Sequence, residues 1–240
     1  MKKIRMKKLL FLLARSNMAT NSIGFFFAHF SMFLPVSKII CNKKIIGFKH
    51  PVPYWNTHYL IVPRKAIRSL NLANTYLQDI QKIFFAIFSA SDTIAKLTNM
   101  QDYSLLVNGG IYQDVPQVHF HLCSGKVIDS PDSTPHPLYT SKMGLLITQS
   151  ENILIYENLN AKRKVDLLII PEKVAALSLS SFTMEKRENR EALIDVIRKT
   201  QELVNEMYLE GYSLIINSED VRIAGKIIFH LLSDKVFKEK

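Results

Sequence analysis

An internal repeat constrains the fold of this 240-residue chain more than any other feature of its sequence. Three segments of the first half recur in the same order in the second half, as the pairs 57–63 and 165–171, 103–108 and 212–217, and 120–124 and 229–233. The offset between the copies is nearly constant, at 166 − 58 = 108 residues for the first pair and 212 − 103 = 109 for the second. Such a period indicates a duplicated structural unit, so we expect two related halves.

Both halves show the pattern of an antiparallel sheet crossed by a helix. Short apolar or alternating runs predict strands at 37–41, 45–48, 57–63, 103–107 and 117–122, and again at 153–156, 165–171, 212–217 and 229–233. Apolar residues at helical spacing predict long amphipathic helices over 76–97 and 190–209. The expected fold class is therefore α+β, with about five strands and one long helix in each half.

Composition divides the chain into a basic segment at 1–22, a first domain at 23–127, a linker at 128–140 and the second copy at 141–240. The apolar run at 9–14 is shorter than the ~7–15 residues of a secretory signal core. A second run at 23–34 is shorter than the ~20 residues of a membrane span. We expect an N-terminal amphipathic helix packed on the body, with weak contact to an anionic membrane surface as the alternative.

Charge and cysteine content limit the classes of partner and compartment. Much of the net charge of +10 comes from the N-terminal segment, so the body is mildly basic and no dedicated nucleic-acid groove is expected. Cys41 and Cys123 are too few for a disulfide framework and lack the spacing of a zinc knuckle. We expect a cytoplasmic protein in which Cys123 is a small core residue.

Residues 117–122 alternate between polar and apolar side chains, which is typical of a half-buried strand. Because successive strand side chains point to opposite faces, Gln117, His119 and His121 share one face and the three apolar residues share the other. Two imidazoles therefore lie side by side. An Asn-Gly-Gly turn at 108–110 lies just upstream and is expected to belong to the same unit.

The two copies differ at the polar positions where chemistry would occur. The second copy has Asp166 for His58, Ile228 for His119, Lys226 for Gln117, and His230 for His121. The second copy is expected to have lost its polar constellation. Any reaction is therefore assigned to the first half.

The strings HYLIVPRK at 58–65 and VHFHL at 118–122, with Asn108-Gly109 and Gln113 before the second string, resemble the histidine-triad (HIT) superfamily of nucleotide hydrolases and transferases. The resemblance covers roughly residues 27–126, and the repeat implies that 153–235 is a second, degenerate HIT half. It implies that His119 is the nucleophile and that His121 is the third histidine of the triad. It further implies that His58 orients the nucleophile and that Gln117 replaces the first triad histidine.

The resemblance implies a nucleotide hydrolase or nucleotidyl transferase that acts on an α-phosphate through a covalent nucleotidyl-His119 intermediate, without metal or cofactor. The expected substrates are nucleoside phosphoramidates, dinucleoside polyphosphates or adenylylated adducts. Gln117 would donate a hydrogen bond to the phosphate and His121 would stabilise its charge. The implied nucleotide-binding residues are Asn108, Gly109, Gln113, Asp114 and His50, of which His50 stands where many members carry a carboxylate for the ribose.

The resemblance also implies an architecture. Single-repeat HIT proteins pair two subunits edge to edge, and two fused copies can form the same interface within one chain. We therefore expect a monomeric pseudo-dimer with one continuous sheet of about ten strands and one active site. The equivalent cleft of the second half is expected to be closed or apolar.

Two other functions remain open from the sequence. One is a catalytically inactive nucleotide-binding or interaction module, which the replaced triad residue and ribose position would fit. The other is a zinc site formed by His58, His119 and His121. His29, His50 and His136 are expected to be surface or connection residues.

Overall fold

A computed structural model describes residues 36–72, 78–128, 141–161, 164–175 and 178–233. The predicted N-terminal helix and most of the predicted linker fall outside these ranges, as do His29 and His136. Within the described ranges, neither long helix combines the length and the apolar character that a membrane span requires.

The described chain forms ten strands and three α-helices. The strands are β1 Lys38–Cys41, β2 Ile45–Lys49, β3 Trp55–Pro63, β4 Ser104–Gly110, β5 Phe120–Val127, β6 Met143–Gln149, β7 Ile153–Asn158, β8 Asp166–Pro171, β9 Gly211–Asn217 and β10 Phe229–Leu232. The helices are α1 Gln78–Leu97, α2 Arg187–Glu206 and α3 Ser218–Ala224, with single 3-10 turns at Leu70–Leu72 and Leu179–Ser181. β6 and α3 are absent from the sequence-based prediction.

All ten strands belong to one antiparallel sheet, in the order β1-β2-β3-β5-β4-β9-β10-β8-β7-β6. This confirms the α+β class with one large antiparallel sheet. The order of the first five strands is repeated in reverse by the second five. The two sets meet where β4 pairs with β9.

The pairing of β4 with β9 is symmetric about Leu106 and Ile215. Ser104 lies opposite Asn217, and Asn108 lies opposite Ser213. Adding the repeat offset of 109 converts Ser104 into Ser213 and Asn108 into Asn217, so each pair is the image of the other. We call this pairing of β4 with β9 the seam between the halves. It has a local twofold relationship that follows from the repeated sequence.

Both long helices lie on one face of the sheet and form a single core with it. Phe84 of α1 contacts Phe120 of β5 with ring centroids 5.9 Å apart, and Leu193 of α2 belongs to the same buried cluster. Truncating a buried phenylalanine of this kind costs about 3–5 kcal/mol. The opposite face carries the histidines.

The end of α2 differs from the sequence-based prediction, because it stops at Glu206 and not at residue 209. Tyr208 adopts a positive φ of 53°, a conformation that turns the chain out of the helix. The N–H of Leu209 then donates to the carbonyl of Val204 at 2.9 Å. Helical periodicity in the side chains does not reveal such a stop.

Candidate active site

β3 and β5 bring two histidines together on the face of the sheet opposite to the helices. Leu60 of β3 pairs with His121 of β5, and His58 pairs with Cys123, so the two imidazoles lie diagonally across the strands. Nε2 of His58 is 3.0 Å from Nδ1 of His121. Neither residue is more than 2% exposed. The structure thus joins the upstream histidine to the last histidine of the predicted strand.

Hydrogen bonds fix the tautomers of both rings. The backbone N–H of Tyr54 donates to Nδ1 of His58 at 3.2 Å, so the proton of the neutral ring is on Nε2. This proton is donated to Nδ1 of His121, which places the proton of His121 on its own Nε2. Burial lowers the pKa of His58 well below its ordinary value, and the neighbouring His50 and His119 lower it further. His58 is therefore neutral.

His119 has the opposite tautomer. Its Nδ1 lies 2.9 Å from the backbone carbonyl of Gln117, and since a carbonyl can only accept, Nδ1 must carry the hydrogen. The lone pair of the ring is then on Nε2. The ring centroid of His119 is 5.0 Å from that of His121. One imidazole with a nucleophilic Nε2 thus stands beside another whose Nε2 carries a hydrogen.

Gln117 is placed differently from the sequence-based expectation. The strand begins at Phe120, and Gln117 lies before it with its side chain fully buried. The Gln117 Nε2 donates to the carbonyls of Pro63 at 3.1 Å and Lys65 at 3.0 Å, while Oε1 accepts from the N–H of Ile67 at 3.2 Å. Both amide hydrogens are therefore used within the protein, on the segment that follows β3.

His50 lies in the connection between β2 and β3, as one of the two expected placements had it, but it is buried and not on the surface. It is 3% exposed and stacks on His58, with centroids 4.1 Å apart and rings 8° from parallel. Its Nδ1 accepts the N–H of Val52 at 3.1 Å. The family alignment gave the only sequence signal, because it placed His50 at the ribose position.

Three histidines come close enough to suggest a metal site, although they differ from the set expected from the sequence. Ligand atoms of His50, His58 and His121 all lie within 4.8 Å of one another. However, Nδ1 of both His50 and His58 accepts a backbone N–H, so each Nε2 carries a hydrogen. A metal ligand must offer a lone pair instead. A hydrogen bond instead joins His58 to His121, and His50 stacks on His58.

The Asn-Gly-Gly turn borders His119. Val107 pairs with Phe120 as the last pair of the β4–β5 ladder, so Asn108 and His119 are the next residues at the same end of that ladder. A Cβ at Gly109 would lie 2.2 Å from the ring of Tyr212, and one at Gly110, whose φ is +60°, would lie 2.0 Å from a backbone oxygen. Only glycine fits at these two positions.

The loop after this turn holds the other two predicted residues. The side-chain amide of Gln113 donates to the carbonyls of Arg68 and Val115, which fixes the loop leading to Gln117. Asp114 is half-buried in this loop. The loop therefore connects the glycine turn to the histidine strand.

The second half keeps a polar cluster, contrary to the sequence-based expectation that its constellation was lost. Nε2 of His230 lies 3.0 Å from Oδ2 of Asp220 and 2.9 Å from Oγ of Ser141. Nδ1 of His230 lies 3.7 Å from Oδ1 of Asp166, whose Oδ2 accepts from Asn158 at 3.1 Å. The cluster is closed, since His230 is fully buried, but it is not apolar.

The pKa of its histidine distinguishes the His230 cluster from the His58–His121 pair of the first half. Burial acts to lower the pKa of His230, but the carboxylates of Asp166 and Asp220 outweigh it and raise the pKa. A raised pKa favours the imidazolium form of His230, which has no lone pair for attack. The position of the nucleophile is taken by Ile228, which is 3% exposed.

Fold and site together define an α+β protein with a group of buried histidines on the face of its sheet opposite to the helices, next to a glycine turn. A family model described as HIT domain matches residues 34–127. An uncharacterized HIT-like protein of Helicobacter pylori is 30% identical over 94 residues, which cover 38% of this chain and 86% of that protein. The chain belongs to the HIT family.

Solved structures with the same fold extend over most of the chain. A DUF4931 family protein from Bacillus cereus has a TM-score of 0.55 at 12% identity, covering 84% of this chain and 87% of its own. An ADP-glucose phosphorylase from Arabidopsis thaliana, solved with bound ADP-glucose, also has a TM-score of 0.55 at 9% identity, covering 82% of this chain and 75% of its own. These likenesses concern the fold alone. They include much of the second half, whereas the family model ends at residue 127.

Proposed function

We propose that the protein is a nucleotide hydrolase or nucleotidyl transferase that acts on the α-phosphate of a nucleotide conjugate through a covalent bond to His119. The observation that carries this proposal is the contact of 2.9 Å between Nδ1 of His119 and the carbonyl of Gln117. It puts the lone pair on Nε2, which is the state required of a neutral imidazole nucleophile. Membership of the HIT family supports nucleotide chemistry in general.

In the first step, Nε2 of His119 attacks the α-phosphorus, and the bond from phosphorus to the leaving group breaks. The imidazolium that forms is stabilised by its Nδ1–H bond to the carbonyl of Gln117. Water or a second nucleophile then attacks the phosphorus. The bond between phosphorus and Nε2 breaks and regenerates neutral His119.

His121 stabilises the phosphoryl oxygens in this scheme. Its Nε2–H is available for donation only while Nδ1 accepts from His58, and the depressed pKa of His58 keeps the relay neutral. A preorganised donor of this kind contributes about 2.7–4 kcal/mol to a transition state in other enzymes. His58 is thus a positioning residue that acts through His121.

Gln117 is assigned a second positioning role. Its amide fixes the segment after β3 to the base of the histidine strand, and its carbonyl holds His119. His50, which stacks on His58, is assigned to the ribose because the family resemblance aligns it with the ribose-binding carboxylate of many members. A carboxylate at Asp114 near the leaving group would repel an anion, so the proposal favours a neutral or amine leaving group over a polyphosphate.

The architecture belongs to the same proposal. Residues 23–127 form the catalytic HIT-like domain, 128–140 the linker, and 141–240 a degenerate HIT-like repeat that pairs with the first as an intramolecular pseudo-dimer. The reversed strand order and the symmetric pairing of β4 with β9 support this arrangement. We expect a cytoplasmic monomer with one active site.

A substrate panel tests the proposed activity. Purified protein is incubated with nucleoside phosphoramidates, dinucleoside polyphosphates and adenylylated adducts, and release of nucleoside monophosphate is followed by chromatography. Turnover of at least one class, lost in His119→Ala and kept in a matched Cys41→Ala variant of an exposed residue, is the expected result. Turnover by His119→Ala equal to that of the wild type would show that His119 is not the nucleophile.

A second candidate is a nucleotide-binding module without catalysis. The observation that favours it is the internal use of both Gln117 amide hydrogens, which deprives a phosphate of the donor expected there. Calorimetric titration with AMP separates the two candidates. Saturable binding without turnover of any panel substrate would establish the module.

A further inference from the structure

Two serine–asparagine hydrogen bonds cross the seam between the halves. Oγ of Ser213 donates to Oδ1 of Asn108 at 2.7 Å, and Oγ of Ser104 donates to Oδ1 of Asn217 at 2.6 Å. Both serines and Asn217 are fully buried, and Asn108 is 3% exposed. The two bonds occupy equivalent positions in the two copies of the repeat, so the surroundings of Asn108 can be compared with those of Asn217.

The two asparagines differ in what their amide nitrogens contact. Nδ2 of Asn217 donates to Oδ2 of Asp220 at 3.2 Å. Among the described residues, Nδ2 of Asn108 has no hydrogen-bond partner, although the atom is buried. A buried donor left without an acceptor costs about 1–3 kcal/mol. An unmatched donor in one of two equivalent positions indicates that a ligand supplies its acceptor.

The location of this donor identifies the ligand class. Asn108 follows Val107, the last β4 residue that pairs with β5, and His119 directly precedes its partner Phe120, so both residues lie at the same end of the β4–β5 ladder. An acceptor next to the nucleophile would be an oxygen of the bound nucleotide, on its phosphate or its ribose. The orientation of the amide decides whether Nδ2 can reach it.

Ser213 sets this orientation from the other half of the chain. In the observed arrangement its hydroxyl donates to Oδ1, so Nδ2 of Asn108 is directed away from that hydroxyl. Without the hydroxyl, a rotation of the amide by about 180° exchanges oxygen and nitrogen at similar steric cost. The ligand would then meet an acceptor in place of a donor.

We infer that Ser213 is a positioning residue for the His119 site, through which the second half orients Asn108 toward the bound nucleotide. This inference rests on the proposed function of that site. It gives the degenerate half a role in the reaction although it lacks a nucleophile. Residue 213 lies outside the part of the chain that the family model matches, which ends at residue 127.

The test uses Ser213→Ala, its symmetric control Ser104→Ala, Asn108→Ala, and the double variant of 108 and 213. Both serine variants lose one buried hydroxyl, so their thermal stabilities should fall alike. We expect kcat/KM of Ser213→Ala to fall about tenfold, equivalent to ~1.4 kcal/mol, while Ser104→Ala stays near wild type. In the Asn108→Ala background, Ser213→Ala should have no further effect, because it acts only through that amide.

A merely structural role predicts different results. Equal activity losses in the two serine variants, or additive losses in the double variant, would overturn the inference while leaving the His119 assignment intact. Turnover by His119→Ala equal to that of the wild type would instead count against the proposed function.

A second readout does not need turnover. The side-chain amide of Asn108 is followed by NMR, with its signal assigned by its absence in Asn108→Ala. This signal should move on AMP addition in wild type and in Ser104→Ala, and should fail to respond in Ser213→Ala. An unchanged response in Ser213→Ala, or no response to AMP in the wild type, would contradict the inference.

Discussion

The Nε2–H of His58 is donated to Nδ1 of His121 over 3.0 Å, and this contact sets the tautomer of His121. The repeat places Asp166 and His230 at the same two positions, where the contact is an ion pair of 3.7 Å. Aspartate at position 166, together with Asp220 at 3.0 Å from His230, raises the pKa of His230, whereas the first half has a neutral pair of histidines. Only the neutral relay suits phosphoryl chemistry by imidazole.

Replacement of His58 tests this relay. In His58→Ala the Nδ1 of His121 loses its donor, so we expect kcat to fall about 10–100-fold, or ~1.4–2.7 kcal/mol, with little change in KM. In His58→Gln the side-chain amide can still donate to His121 and accept from Tyr54, so part of kcat should return. Steady-state kinetics on the best panel substrate compares the variants. Equal kcat for the alanine and glutamine variants would show that donation to His121 is unimportant.

The pH dependence of stability should reflect both histidine pairs. The pKa of His58 is lowered by folding, so below about pH 6.5 the unfolded chain takes up a proton that the folded chain refuses, and stability falls. The pKa of His230 is raised, so its contribution is complete below about pH 6.5 and is lost as the pH rises through the raised value.

Urea unfolding at pH 5, 6.5 and 8 measures these contributions. His58→Gln should reduce the loss of stability on the acid side, and His230→Gln should reduce the loss on the alkaline side. Each proton contributes a slope of at most ~1.4 kcal/mol per pH unit. A His230→Gln variant with the same alkaline slope as wild type would contradict the charge assigned to His230.

Gln117 provides a case where the structure reverses an expectation from the sequence. The family pattern suggests that Gln117→His preserves or raises activity, because it restores the first histidine of the triad. The structure shows three hydrogen bonds between the fully buried Gln117 amide and the backbone of residues 63–67. The amide donates two of them and accepts the third. An imidazole cannot replace all three, and each buried group left unpaired costs about 1–3 kcal/mol.

We therefore expect Gln117→His to destabilise the fold by about 2–4 kcal/mol and to lower turnover. Thermal melting and steady-state kinetics on the same preparation check both effects. A variant as stable as wild type with higher turnover would restore the expectation drawn from the sequence.

Gly109 tests the contact between the glycine turn and the second half. Alanine at this position would place its Cβ 2.2 Å from the ring of Tyr212, so the seam must shift. We expect Gly109→Ala to lose about 3 kcal/mol of stability and most of its turnover. The control is Gly225→Ala, where φ is +63° but nothing lies within 4 Å, and where the cost should be only ~1–2 kcal/mol.

Denaturant unfolding compares the two glycine variants. A smaller loss of stability in Gly109→Ala than in Gly225→Ala would show that the ring of Tyr212 moves aside with little cost in free energy.

Local periodicity explains what the sequence alone could predict. The alternation of polar and apolar residues at 117–122 predicted the sheet face of His121 and the core position of Phe120. The repeat, with its offset of 108 or 109 residues, supported the α+β class. These features depend on neighbours along the chain. Strand β6 has no such signal, because its exposed and half-buried residues do not alternate cleanly.

The remaining features depend on contacts between distant segments. His50 joins the site by stacking on His58, Ser213 reaches Asn108 across 105 residues, and Asp220 reaches His230 from a helix that was not predicted. The direction of a side-chain amide, as at Gln117, is decided by the backbone groups it meets after folding. These contacts have no periodic signature in the sequence.

Mass spectrometry of rapidly quenched protein can detect the proposed covalent intermediate on His119. The protein is mixed with a nucleoside phosphoramidate, quenched under alkaline conditions that preserve phosphohistidine, and analysed as intact chain and as peptides. We predict one nucleoside monophosphate per chain, attached to His119 and absent from His119→Ala. Turnover without an adduct, an adduct on another residue, or two adducts per chain would contradict the account.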